Sequence, residues 1–135
     1  MGISEDLALL NYERFQNYSS ATQYPALFLF RGDVFRGIDV DTLTNNEIQY
    51  LNHHLRILSG LYGILKPLDK IKPYRLEMGT KLKNSKGNDL YAFWGNQIKE
   101  YLEKEAKDQI IVNLASKEYS KAARLDEMNL QVYHI

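Results

Sequence analysis

A glycine-bearing turn followed by a run of lysines is the part of this sequence best suited to chemistry. The turn consists of Gly60, Leu61, Tyr62 and Gly63. Glycine lets the backbone bend sharply, and it lets backbone amides approach an anion without an intervening side chain. The spacing matches neither a Walker loop nor a nucleophile elbow. The turn therefore indicates contact with an anion rather than a known catalytic motif.

Positive charge is concentrated directly after this turn. Residues 66–86 contain seven cations and two anions, a balance of +5 (7 − 2), although the whole chain has 17 basic and 17 acidic residues. A local positive field attracts phosphates even when a protein is neutral overall. We therefore predict a nucleic-acid-binding site formed by the turn and by Lys66, Lys70, Lys72, Arg75, Lys81 and Lys83. The alternative is a solvated lysine loop without a ligand.

A second group of polar residues follows the apolar run Ile110–Ala115. Proteins of the α/β class bind ligands at the carboxyl ends of strands, where Asn113 is suited to orient a base or ribose and Lys117 to meet a phosphate. A candidate cleft therefore comprises Arg31, Glu77, Asn113, Ser116 and Lys117. Capping of the next helix by Ser116 explains part of this pattern, and an ion pair with Arg75 explains Glu77. No nucleophile or acid/base pair is specified, so the catalytic residues are unknown.

Apolar runs alternate with amphipathic segments, which predicts an α/β fold, with mixed α+β as the variant. We predict a central sheet of buried strands near 26–30, 55–59, 110–115 and 130–135. The flanking amphipathic helices are predicted near 5–18, 44–54 and 89–105.

The clearest local signal is a capping box, Thr44-Asn45-Asn46-Glu47, which predicts the start of a helix. Helical spacing continues as far as Leu58, so the helix could extend to Gly60. We favour a strand at 55–59, because a strand that ends just before a glycine turn commonly presents a site in α/β proteins.

Composition restricts the class of protein further. The 135 residues suit one domain, 1–135, although a start inside a helix and an end inside a strand suggest a fragment of a larger single-domain protein. The chain has no cysteine, and His53 and His54 are adjacent, so they cannot share one metal ion on a helix. We predict no metal site, no cofactor, no membrane contact and a cytoplasmic location.

Several runs together closely resemble the bacterial YaaA family of peroxide stress resistance proteins. They cover nearly the whole chain in order and consist of Phe30–Val34 with Gly37, Leu55–Asp69, Pro73–Gly79, Asp89–Tyr91 with Phe93–Gly95, and Val112–Ser116 with Glu118 and Tyr119. Members of this family extend beyond both ends of the present sequence, so the chain resembles the middle of a family protein.

The resemblance implies a cytosolic protein that protects against hydrogen peroxide and limits damage from intracellular iron. It also implies binding to double-stranded or structured DNA through a positively charged cleft and a helix-hairpin-helix-like element, for which Tyr50–Lys70 is the candidate. An enzyme acting on a nucleotide or modified nucleobase is the competing hypothesis. An iron or redox protein is disfavoured by the lack of cysteine ligands.

Overall fold

A computed structural model of the chain describes residues 22–30 and 35–135. The helix predicted at 5–18 and the candidate residue Arg31 lie outside the described residues. The described residues form two compact units. Unit 1 contains those up to Ile57 together with Ile64–Leu76, and unit 2 contains Leu58–Gly63 together with Glu77–Ile135. The prediction of a single domain over 1–135 stays a prediction.

Short helices and short strands alternate along the described residues, which confirms the mixed α/β class. The helices are α1 (Ala26–Leu29), α2 (Asn45–His54), α3 (Leu90–Trp94), α4 (Gln97–Ala106) and α5 (Lys117–Ala122), with 3-10 turns at Val40–Thr42 and Leu125–Glu127. The strands are β1 (Tyr24–Pro25), β2 (Ile57–Ser59), β3 (Gly63–Leu65), β4 (Lys70–Ile71), β5 (Ile111–Asn113) and β6 (Val132–His134). None of the helices in the described part of the chain has the length and apolar character needed to cross a membrane.

The strands pair in twos, so the prediction of one central sheet is wrong for the described residues. β1 pairs with β4, β2 with β3, and β5 with β6. The first pair is antiparallel and the last is parallel. An apolar run indicates that a segment is buried but does not identify the strand beside it, so pairing could not be deduced from these runs.

The apolar run at 26–30 forms one helical turn, α1, and the predicted strand there is wrong. The amide of Ala26 donates to the Asp69 carbonyl at 2.8 Å, and the amide of Leu27 donates to the Pro67 carbonyl at 2.9 Å. Amides in the first turn of a helix lack partners within the helix, so segment 67–69 stabilises this start. Ala26 and Leu27 are both buried, and a short buried helix has the same apolar signature as a buried strand.

Helix α2 starts where the capping box predicted. The Thr44 hydroxyl accepts from the Glu47 amide at 3.2 Å, and the Thr44 amide donates to Glu47 Oε1 at 3.0 Å. The helix ends at His54, Leu55 is extended, and β2 follows at Ile57–Ser59. The preference for a strand over a continued helix is confirmed. Alternate positions Ile57 and Ser59 are buried, as expected for a strand with one face covered.

In unit 2 the single helix predicted at 89–105 is divided into α3 and α4. The break is at Gly95, whose positive φ of +52° is a conformation that glycine adopts readily and that ends α3. Asp89 caps α3 by accepting from the Ala92 amide at 2.8 Å. The buried apolar residues of this unit include Met78, Leu90, Ile98, Ala122 and Ala123.

Strands form near both predicted positions at the end of the chain, but the prediction that they are buried is wrong. Val112 in β5 is 54% exposed, and Tyr133 in β6 is 50% exposed. The two strands pair in parallel with Val112 opposite Tyr133. These side chains share one face of the pair, which is exposed to solvent, so their apolar character alone did not determine their burial.

Replacement of Thr44 by alanine should destabilise α2. Loss of a threonine N-cap costs about 1 kcal/mol of unfolding free energy, because the Glu47 amide loses its partner. Chemical denaturation followed by far-ultraviolet circular dichroism measures this difference. Asn46→Ala is the matched control, since Asn46 lies in the same turn but takes no part in the capping box. An equal loss in both variants would contradict the capping role.

The stability that the Glu47 carboxylate gives to the start of α2 should be lost in acid. Hydrogen bonds from the Thr44 amide, and then from its side chain, lower the pKa of Glu47. A lowered folded-state pKa contributes stability above the unfolded pKa and loses it as pH falls through the folded value. Denaturation of the wild type and of Glu47→Gln at neutral pH and at about pH 3 measures this effect. The wild type should lose its advantage over the variant in acid, and an advantage that does not change with pH would contradict the link between Glu47 and Thr44.

Candidate functional site

The glycine turn predicted from the sequence connects β2 to β3. Its first support comes from Ser59, which is fully buried and whose hydroxyl accepts from the Tyr62 amide at 3.0 Å. Gly63 closes the turn with a φ of +83°, a conformation that favours glycine. The Tyr62 amide is thus hydrogen-bonded within the turn. This bond leaves fewer of the turn's backbone amides to bind an anion.

Trp94 contacts this turn from helix α3. Its indole N–H donates to the Gly60 carbonyl at 3.0 Å. Its ring lies against Gly63, where an added Cβ would come within 2.8 Å of Trp94 Cζ3. The sole tryptophan of the chain therefore holds both ends of the turn, and Gly63 allows the close approach because it lacks a side chain.

Segment Tyr50–Lys70 is not a helix-hairpin-helix element. It begins in α2 and continues through β2, the glycine turn and β3 to the start of β4. No second helix forms between Leu55 and Lys70, all of which are described. Lys70 instead pairs with Pro25 in the β1–β4 ladder, so strand pairing replaces the expected second helix.

The first part of the basic segment, 66–75, belongs to unit 1 and has a hydrogen-bonded backbone. The Lys66 amide donates to Asp69 Oδ2 at 2.8 Å, and the Leu68 amide donates to Asn52 Oδ1 at 3.0 Å. Pro67 between them is buried. Lys70 and Arg75 are exposed, whereas Lys66 and Lys72 are half-buried, so this turn presents its cations from an ordered backbone.

The second part of the basic segment belongs to unit 2 and is organised by Asn84. The Asn84 side-chain amide donates to the carbonyls of Leu82 at 2.9 Å and Asp89 at 2.8 Å. A backbone bridge also joins Asn84 to Gly87. Lys81 and Lys83 are exposed on either side of Leu82. This part of the basic segment is therefore a hydrogen-bonded turn.

The candidate cleft residues of unit 2 have specific partners. The Tyr119 hydroxyl donates to Glu77 Oε2 at 2.5 Å, which joins Glu77 to helix α5. Ser116 is the N-cap position of α5 and Lys117 its first residue, but the Ser116 side chain makes no capping bond. Asn113 Nδ2 lies 3.0 Å from His134 Nδ1, and Asn113 Oδ1 accepts from the Ala115 amide at 3.0 Å. Glu77 is thus hydrogen-bonded to helix α5, and Asn113 contacts strand β6.

Helix α5 makes two further contacts in this region. Glu118 Oε2 accepts from the Gly79 amide at 2.9 Å, and the Glu118 carbonyl accepts from the Tyr91 hydroxyl at 2.7 Å. Burial raises the pKa of Tyr91, and the carboxylates of Glu118 and Asp89 raise it further. Tyr91 therefore remains a neutral hydrogen-bond donor at physiological pH and holds α3 to α5.

Unit 1 also contains an open depression of 410 Å³ near helix α2. Its lining runs from Gly37 to Leu51 and includes the carboxylates of Asp39 and Glu47. It contains none of the residues predicted to bind nucleic acid and none of the candidate cleft residues. Of its two carboxylates, Glu47 is hydrogen-bonded to the Thr44 amide.

The sequence profile of the peroxide stress protein YaaA matches residues 1–135. The chain belongs to this family. A UPF0246 protein of Polynucleobacter necessarius subsp. necessarius (strain STIR1) is 47% identical over 139 residues. That alignment covers 98% of this chain and 54% of the relative, so the chain spans about half the relative's length. The family resemblance predicted from the motifs is confirmed.

Within this YaaA-family chain, Trp94 was not among the predicted site residues, although it holds the glycine turn. The resemblance rested on Leu55–Asp69 and Phe93–Gly95 as separate runs, and only the fold shows that Trp94 contacts Gly60 and Gly63. The one available signal was a pair of glycines with no ligand motif to explain them. Close packing against an aromatic ring is an alternative reason for glycine at such a position.

Gly63→Ala should destabilise this chain measurably. The new methyl group would collide with the Trp94 ring, and alanine tolerates a φ of +83° poorly, so we expect a loss of about 1–3 kcal/mol of unfolding free energy. Denaturation followed by Trp94 fluorescence reports directly on the contact. The control is Gly37→Ala, because a Cβ at Gly37 would meet nothing within 4 Å. Equal stability of the two variants would refute the packing argument.

Proposed function

We propose that the protein acts in the peroxide stress response and binds DNA through the cations of residues 66–86. Membership of the peroxide stress protein YaaA family supports the first part. The observation that carries the second part is a set of exposed cations without neutralising partners. Within residues 22–30 and 35–135, no salt bridge uses the side chains of Lys70, Arg75, Lys81 or Lys83.

The two carboxylates of the basic segment have other partners. Asp69 accepts from the Lys66 amide, and Glu77 accepts from the Tyr119 hydroxyl. Each anion is therefore committed to holding the backbone or a neighbouring helix. The positive charge of Lys70, Arg75, Lys81 and Lys83 can therefore attract an external anion, and a chain of phosphates is the polyanion that suits several cations spaced along a segment.

The ordered backbone of the segment supports binding over a solvated loop. The turns at 66–69 and 84–87 restrict where the lysine stems begin, so fewer backbone conformations are lost on binding. Lysine acts on phosphate as a point charge and does not read base edges. We therefore expect affinity for duplex or structured DNA with little sequence preference and a strong dependence on salt.

Two paired substitutions test this proposal. Lys66→Gln with Lys70→Gln removes two cations of unit 1, and Lys81→Gln with Lys83→Gln removes two of unit 2. Fluorescence anisotropy with a labelled duplex, measured across a salt series, gives the slope of log affinity against log salt. Removal of one lysine that neutralises a phosphate should reduce the slope by about 0.9, hence by up to about 1.8 per pair.

The control replaces Lys104 and Lys107 by glutamine. These lysines are exposed at the end of α4, and their loss changes the net charge by the same amount outside the basic segment. We expect the control to keep the wild-type slope. Binding that is insensitive to salt, or that falls equally in the control and in both test pairs, would overturn the DNA-binding proposal.

A further inference from the structure

The parallel pair β5–β6 has two chemically different faces. Ile111 lies opposite Val132, Val112 opposite Tyr133, and Asn113 opposite His134. Because side chains alternate along a strand, Val112 shares its face with Tyr133 and with neighbours two residues away. We call this the apolar face, and its residues are Ile110, Val112, Leu114, Tyr133 and Ile135.

The apolar face is exposed throughout. Its residues are 57%, 54%, 57%, 50% and 90% exposed in chain order. They account for five of the seven exposed large hydrophobic residues of the described chain. Such a concentration of apolar side chains on one face of one sheet differs from the scattered exposure that is normal on a monomer surface.

The opposite face has partners within this chain. Asn113 and His134 lie side by side at 3.0 Å, and His134 Nε2 is 3.5 Å from the carboxylate of Asp126. Parallel strands are normally covered on both faces, because their crossover connections place other elements there. The β5–β6 pair thus has one face with contacts and one apolar face whose cover is not among the described residues.

We propose that the apolar face is covered by an apolar segment of the family-length protein that lies outside these 135 residues. The Polynucleobacter relative is long enough to contain such a segment, since the alignment with this chain covers only 54% of it. A segment of the same polypeptide has a high effective concentration at the face, whereas a second copy must be recruited from solution. Covering these side chains removes apolar surface from water, which favours the covered state.

Thiol labelling tests the proposal directly, because the chain contains no cysteine. Val112→Cys places a single thiol on the apolar face, and Glu105→Cys places one on the exposed side of α4 as the control. Both variants are made in the 135-residue chain and in a family-length chimera. The chimera carries this chain in place of the matching part of the Polynucleobacter relative, with any cysteine of that relative changed to serine.

We expect the thiol at position 112 to react with a maleimide as fast as the control in the 135-residue chain. In the chimera its rate should fall at least about tenfold, as expected when a site reacts only after local opening, while the control rate stays the same. Leu114→Cys should behave like Val112→Cys, which guards against a local effect of one substitution.

Three outcomes would overturn the proposal. Equal labelling of the thiols at positions 112 and 114 and the control in the chimera would show that the face stays open. Protection that already exists in the 135-residue chain and rises with protein concentration would assign the face to a second copy. Protection of the thiols in the 135-residue chain that does not depend on protein concentration would show that another part of this chain covers the face. None of these results depends on DNA binding.

Discussion

The contact between Trp94 and the glycine turn joins parts of unit 2 that are far apart in the sequence. One aromatic side chain satisfies the Gly60 carbonyl and fills the space beside Gly63, so it connects helix α3 to a turn far away in the sequence. The shape of this turn is held by a buried serine hydroxyl on one side and an indole ring on the other.

The cations of residues 66–86 extend from a backbone that hydrogen bonds already hold in place. Asn84 and Asp69 use their side chains to hold the turns from which the lysines extend. The cations therefore have defined starting points and do not depend on mutual repulsion or on flexible chain to find a ligand. This combination of exposed charge and ordered backbone distinguishes a candidate phosphate-binding segment from a lysine-rich linker.

Helix α5 connects the candidate cleft residues to the rest of unit 2. Its residues Glu118 and Tyr119 reach back to the segment around Glu77 and Gly79, and Tyr91 binds the Glu118 carbonyl. Glu77 and Asn113 are therefore positioned by different neighbours, one by α5 and the other by β6. The described contacts give both residues a structural role. A role for them in acting on a nucleotide stays a prediction.

The sequence by itself determined what depends on neighbouring residues. The capping box at Thr44, the strand before the glycine turn, the class of fold and the family all follow from short-range spacing or from contiguous motifs. The charge of residues 66–86 is also a property of composition, and no fold can change its sum.

Tertiary structure decided everything that depends on partners distant in the chain. The apolar run at 26–30 became a helix because carbonyls at 67 and 69 satisfy its first amides. Strand β5 kept an apolar face exposed to solvent. An apolar residue gains free energy when it is buried, but burial requires a second surface that covers it. Only the fold determines whether that surface is present.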